Sequence, residues 1–168
     1  YPFKMLCGAG VAFKLVQAMG GLAAAERFLP LVAMATVADI VSLVDENRVL
    51  VARGLDKIRD GHAKTGIMAL SEAGGCSYTP FQAKHIAFAL APRINAAGRL
   101  GSAEESLALM MTDDDNDAKK LAKSLSDANI RRQKEETDIF EQALARIEGG
   151  EIDLLNDPAI ILCGEDWN

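Results

Sequence analysis

"DDNDAKKLAKSLSDANIRRQKEETDIFEQALARIE", Asp114 to Glu148, is the longest run of helical periodicity in the chain. Its acids gather at the start, where a helix macrodipole favours them. Leu121, Leu125 and Ala128 form one apolar stripe at helical spacing, and Ile139, Ala143 and Ile147 form another. Between them "NIRRQKEETD" is polar on nearly every face, the composition of a helix that bridges two bodies through solvent. Such a helix would span roughly 50 Å at 1.5 Å per residue. We expect a strut between domains; a self-contained long hairpin is the other arrangement the pattern allows.

Upstream, the pattern is a succession of shorter helices. "GSAEESLALMMT" reads as one, with Ser102 as its cap and Glu105 at the capping-box position. Before it, in "FALAPRINAAGRL", Phe88 to Leu100, the part after about Ala91 reads as a loop carrying Arg93 and Arg99, turned sharply by the small residues Ala96, Ala97 and Gly98. Thr79-Pro80 opens the helix that leads to about Ala91, and "TGIMALSEAGG" is a short amphipathic helix. Asp45 is expected to cap a helix from Glu46 to about Arg59 that ends at Gly61. Pro30, the Thr36–Asp39 region and "DEN" punctuate the segments before that.

In "LCGAGVAFKLVQAMGG", Val11, Leu15 and Met19 keep helical spacing up to a Gly20-Gly21 stop. Gly8 and Gly10 make a poor dinucleotide fingerprint, because Phe13 fills the third glycine position; a close-packed helix entry fits better. After Pro158, "AIILC" has the character of a short buried strand, which needs a sheet this chain lacks. With Tyr1 in place of an initiator Met, we expect an excerpt from a longer protein whose second domain starts at that strand.

Composition narrows the function. Of 168 residues, 49% are hydrophobic and 25% charged, enough apolar material for a core. No secretory signal and no uninterrupted membrane-length apolar run are visible, so we expect a cytoplasmic, non-membrane protein. Cys7, Cys76 and Cys163 have no metal-ligand spacing and read as reduced thiols; with only His62 and His85 beside them, zinc is not expected. The net charge of −6 argues against general polyanion binding, so any nucleic-acid contact must be local. The longest acid-free window offers such a place. From Ala73 to Ala103 there is no acid, and Lys84, Arg93 and Arg99 give +3, against −9 for the remainder.

Asp39 is the only charged residue in "LVAMATVADIVSLV", Leu31 to Val44. A carboxylate buried without a partner costs several kcal/mol or takes up a proton. Three readings stand side by side: a cap for a helix beginning at Ile40, a partner for a buried arginine, or a hard oxygen ligand for a divalent cation. The arginines have a similar choice. Arginine offers a planar, always-charged fork matched to phosphate oxygens. Otherwise Arg93 bonds carbonyls at a helix end, and Arg99 pairs with Glu104 or Glu105. Aromatic residues are only 5% of the chain, and Phe81, Phe88 and Tyr78 are expected to pack the core rather than stack bases.

These motifs together resemble one family. "TVADIVSL", then "NRVLVARGL", then "FALAPRINAAGRLGSAEESLALMMTDD" is similar to the bacterial RecJ single-strand-specific DNA exonucleases of the DHH phosphoesterase superfamily. "LCGAGVAFKL" and "GEDW" fit the same family in order, so the resemblance covers essentially the whole chain. It implies a mainly α chain: the C-terminal helical part of a DHH phosphoesterase domain over 1–112, a long connecting helix over 113–149, and the truncated start of a DHH-associated domain over 150–168. It implies a parent that removes nucleotides 5′→3′ from single-stranded DNA in repair and recombination, using two manganese or magnesium ions. Single-strand-binding protein or a helicase are the protein partners it suggests.

Residue by residue, Asp39 matches a metal-ligand aspartate, and Arg99 matches the arginine that contacts substrate phosphate. Arg93 and Asn95 fall in the same block, with roles in positioning and substrate contact. The chain departs from the family by omission: the early aspartates, the Asp-His-His motif and the Gly-rich phosphate motif are absent, and Asn168 stands where the family has His. A two-metal site needs two ions about 4 Å apart, which one aspartate cannot hold, so the chain alone is expected to be inactive. Two other readings are a DHH phosphoesterase acting on short oligonucleotides or cyclic dinucleotides, and a non-catalytic binding or scaffold module.

Overall fold

A computed structural model describes residues 1–76, 80–100, 103–150, 159–164 and 167, with only the backbone of Arg99 and Leu100. Among these residues every regular element is helical. The chain divides into two compact units, Tyr1–Ala128 and Asn129–Asn168.

The first unit begins with α1 (Gly8–Glu26). Gly21 leaves helical geometry at φ 78°, ψ 175°, so the first helical run ends at the expected Gly20-Gly21 pair, and a short second run, Leu22 to Glu26, continues beyond the kink. By length and composition alone α1 could cross a membrane. Lys14 interrupts that apolar run and ion-pairs with Glu46. The expected stripe of Val11, Leu15 and Met19 faces outward, while Phe13 and Ala25 turn into a core with Leu29, Val32 and Leu50.

Pro30 sits in the first turn of α2 (Leu29–Ala38), where its missing N–H costs nothing. Gly54 lets α2 and α3 (Asp45–Arg59) meet closely: a Cβ there would overlap the Leu29 carbonyl oxygen and Ala33. Asp45 does not cap α3. It is the helix's first residue at φ 44°, and Val44 holds the cap position without a side-chain bond. The exit of α3 is as expected. Gly61 at φ 73° closes a paired C-terminal motif, with its N–H on the Ile58 carbonyl and that of His62 on the Lys57 carbonyl.

Next comes α4 (Thr65–Ala73), ended by the same motif, in which Gly75 bonds Glu72 and Cys76 bonds Ser71. The following helix starts three residues later than Pro80, as α5 (Ala83–His85), with Gln82 and His85 forming a reciprocal capping box. It runs on through a π-helical stretch, Ile86–Leu90, into α6 (Ala91–Leu100). The Ala91 N–H bonds the Ile86 carbonyl, the five-residue step of a π-turn. That step lies just ahead of Pro92, which has no N–H to offer and would otherwise clash with the preceding turn.

Residues 91–100 are therefore helix, not the expected loop. Ala96 and Ala97 are buried on its inner face and make no turn, and Gly98 is exposed with no close neighbour. α7 (Ala103–Met111) follows; its expected cap, Ser102, lies outside the described residues. Glu105 instead accepts a 2.7 Å bond from Ser124. The long helix is α8 (Asp115–Glu148), unbroken as predicted. Its first part, through Ala118, Ala122 and Leu125, completes the main core with Ile67, Leu70, Ile86, Leu90 and Leu109.

In the second unit, Arg146 of α8 donates to the Cys163 carbonyl at 2.6 Å, and Trp167 donates to Gln142 at 3.0 Å. Residues 159–164 form no strand, since a lone strand has no ladder partner among the described residues.

Candidate metal ligand and nucleic-acid interface

Asp39 is exposed, not buried as the apolar run around it suggested. The physical reason lies in the backbone. Asp39 is the C-terminal cap of α2, its N–H on the Ala35 carbonyl, so it does not begin a helix at Ile40. The chain then leaves by the motif that normally requires glycine. Ile40 bonds the Val37 carbonyl at 3.1 Å and Val41 bonds the Thr36 carbonyl at 3.3 Å, with Ile40 at φ 55°. A β-branched residue in the left-handed region is strained. The turn throws the whole 39–45 loop outward, leaving Ile40 91% exposed, with Leu43 and Val44 exposed beside it.

Two buried polar residues that sequence reasoning missed fix this loop. Thr36 donates to the Val32 carbonyl at 2.7 Å and lies 3.4 Å from the Cys7 sulfur at the entry of α1. Asn47, fully buried, donates to the carbonyls of Met5 at 2.7 Å and Ser42 at 3.1 Å. It thereby ties the loop after Asp39 to the extended entry of the chain. Its Oδ1 is buried with no partner among the described residues. The signal for Asn47 was a lone amide at a core position of an amphipathic helix.

The carboxylate of Asp39 makes no ion pair among the described residues, which removes the buried-arginine reading there. Neither do the described residues include a group of three or more His, Cys, Asp or Glu able to hold a metal ion. Asp39 can offer one hard oxygen; the residues present do not make a metal site on their own.

Of the arginine block, Asn95 is exposed on α6, and the Arg99 side chain lies outside the described residues. Arg93 is half-buried and fully engaged. Its Nε donates to the Ser126 hydroxyl of α8 at 3.1 Å, and a terminal nitrogen donates to the Ala89 carbonyl at 2.6 Å. That carbonyl belongs to the π-helical stretch before Pro92. So Arg93 bonds a carbonyl, as its residue-level alternative held, but from inside the helix and not at its end. Burial raises the nearby Cys76 thiol above its ordinary value, with the Arg93 guanidinium pulling the other way.

α2, which ends next to Asp39, packs against the π-helical stretch that leads into α6. Phe81 is in the core as expected, while Tyr78 lies outside the described residues. Phe88 is 83% exposed, against expectation: midway between the buried Ile86 and Leu90, it falls on the opposite side of the helix. The cleft of about 620 Å³ between α1, α2 and α3 is lined by Lys14, Arg53 and Lys57 but also by Glu26, Glu46 and Asp60, a mixture that selects neither sign.

No family model matches the chain. It is 35% identical over 168 residues to the single-stranded-DNA-specific exonuclease RecJ of Bacillus subtilis (strain 168), covering 100% of this chain and 21% of that protein. It is 44% identical over 129 residues to RecJ of Thermus thermophilus, covering 75% and 19%. Among solved structures, RecJ in complex with Mg2+ from Thermus thermophilus superposes with a TM-score of 0.77 at 40% identity, over 86% of this chain and 23% of that one. Exonuclease RecJ bound to manganese superposes with the same score at 39% identity, over 86% and 38%. The chain thus spans about a fifth of the length of these curated relatives. In sequence and in helical fold alike, it belongs to the RecJ family of single-stranded-DNA-specific exonucleases, matching one segment of it.

Proposed function

We propose that this chain is the segment of a RecJ-type enzyme that follows the Asp-His-His motif. The parent hydrolyses single-stranded DNA 5′→3′ with manganese or magnesium, in the cytoplasm, during repair and recombination. The observation that carries the reading is the 35% identity across the full chain to a protein of that name. Residues 1–112 would complete a DHH phosphoesterase domain, 113–149 would connect, and 150–168 would open the DHH-associated domain.

Within it, Asp39 supplies one carboxylate to a metal site whose other ligands lie on polypeptide beyond this chain. An exposed acid, unpaired among the described residues, on a strained turn beside the exposed Ile40, Leu43 and Val44, suits a group completed by a neighbour. Arg99 and Asn95 contact the strand's phosphates, in the longest acid-free stretch of an acidic chain. Arg93 positions their helix through Ser126 and the Ala89 carbonyl. Single-strand-binding protein or a helicase would present the substrate.

The test is digestion of a 5′-phosphorylated single strand with manganese, by the full-length parent and by this chain alone. The parent is expected to shorten the single strand from its 5′ end and to spare a blunt duplex, while the chain alone leaves both intact. Robust cleavage by the chain alone, or duplex cleavage by the parent at the single-strand rate, would overturn the reading.

A further inference from the structure

Phe88 is an aromatic residue that the fold leaves without a packing role. It is 83% exposed, although both neighbours on the inner face of its helix, Ile86 and Leu90, are fully buried. A single exposed apolar side chain needs no explanation by itself. This one has three further properties. It stands within the acid-free window, between Lys84 and the arginine block. It precedes Asn95, also exposed, by seven residues on the continuous helix 83–100. Position 99 lies four residues beyond Asn95 on the same helix.

We infer that Phe88 is a stacking platform for a base of the bound strand, upstream of the phosphate contacts on the same helix. The inference rests on the nuclease reading above and adds a subsite to it. An aromatic face is sequence-tolerant, because every base has a π-face, and it complements a cationic track along the backbone. Its place sets a length rule. From Phe88 to position 99 is about 16 Å along the axis at 1.5 Å per residue. At a stacked spacing of roughly 3.4 Å per nucleotide, about five nucleotides cover that distance. A dinucleotide held at position 99 does not reach Phe88; an octamer does.

The test uses the full-length parent without metal, so that binding is read apart from cleavage. The probes are 5′-phosphorylated oligothymidylates of two and eight nucleotides. Phe88→Ala is expected to weaken octamer binding roughly tenfold and to leave the dinucleotide unchanged. Phe88→Trp keeps the octamer affinity, and its indole fluorescence is quenched by the octamer alone. Unchanged octamer affinity in Phe88→Ala, or equal losses at both lengths with a lowered melting temperature, overturns the inference in favour of a packing role. Should the alanine variant fail to fold, an unquenched indole in Phe88→Trp overturns it equally. A wild-type parent that neither binds nor cuts the octamer removes the nuclease reading itself.

Discussion

At the scale of single residues, Ile40 matters as much as Asp39. The motif that ends α2 asks for a left-handed residue, and the chain supplies a β-branched one at φ 55°. An L-residue there costs about 1–2 kcal/mol. Glycine removes that strain at an entropic cost of about 0.5–1 kcal/mol, and almost no packing is lost at 91% exposure. Ile40→Gly in this chain is therefore expected to gain about 0.5–1 kcal/mol in urea denaturation. A loss of stability would show that the isoleucine is packed, not strained. The sequence disclosed Asp39 as unusual through its apolar surroundings but misjudged its burial. Local hydrophobicity carries no record of a turn that ejects the loop.

At the scale of elements, the glycine-ended helices α3 and α4 were legible, since Gly61 and Gly75 both take the left-handed conformation that stops a helix. The arginine block was not. Ala96, Ala97 and Gly98 read as a sharp turn, yet the two alanines are buried on a helix, Gly98 rides its exposed face, and a π-turn accommodates Pro92. What sequence could not show is that Arg93 reaches α8, 33 residues away. Losing hydrogen bonds to a charged donor costs about 1.5–3 kcal/mol each when buried, and less when half-exposed. Arg93→Ala is expected to destabilise the chain by about 1–2 kcal/mol and to couple non-additively with Ser126→Ala. Additive effects in that cycle would deny the clamp.

The α1–α3 tie makes a second prediction at this scale. Burial by itself raises the Glu46 carboxyl, but the hydrogen bonds from Lys14 and Tyr1 outweigh it and hold the acid below its ordinary 4.5. Burial alone likewise lowers the Lys14 ammonium, and Glu46 and Tyr1 reverse that to above 10.5. A depressed acid stabilises above its unfolded value and loses that contribution as pH falls through the folded one; a raised lysine stabilises below its unfolded value and loses it as pH climbs. The advantage of wild type over Glu46→Gln is thus expected to be full at neutral pH and to shrink below about 4.5. A urea midpoint difference that is flat from neutral to acid pH would contradict the pairing.

For the molecule as a whole, the long helix was the most legible feature, because its charge and apolar spacing extend over many turns and nothing interrupts them. The division into units at Ala128 and Asn129 falls inside that helix, where the apolar stripe gives way to the polar middle. The terminal "AIILC" run could be recognised as strand-like but not realised, for want of a partner among the described residues. The site is legible only as a half. Asp39, unpaired among the described residues, is read as waiting for ligands on other polypeptide.

The most direct test of that claim is manganese binding by the full-length parent, titrated alongside Asp39→Ala and followed by turnover on single-stranded DNA. The variant is expected to keep the wild-type circular dichroism, to lose tight manganese stoichiometry by at least one ion, and to lose cleavage. Wild-type manganese stoichiometry together with near-normal turnover in Asp39→Ala would contradict the ligand role.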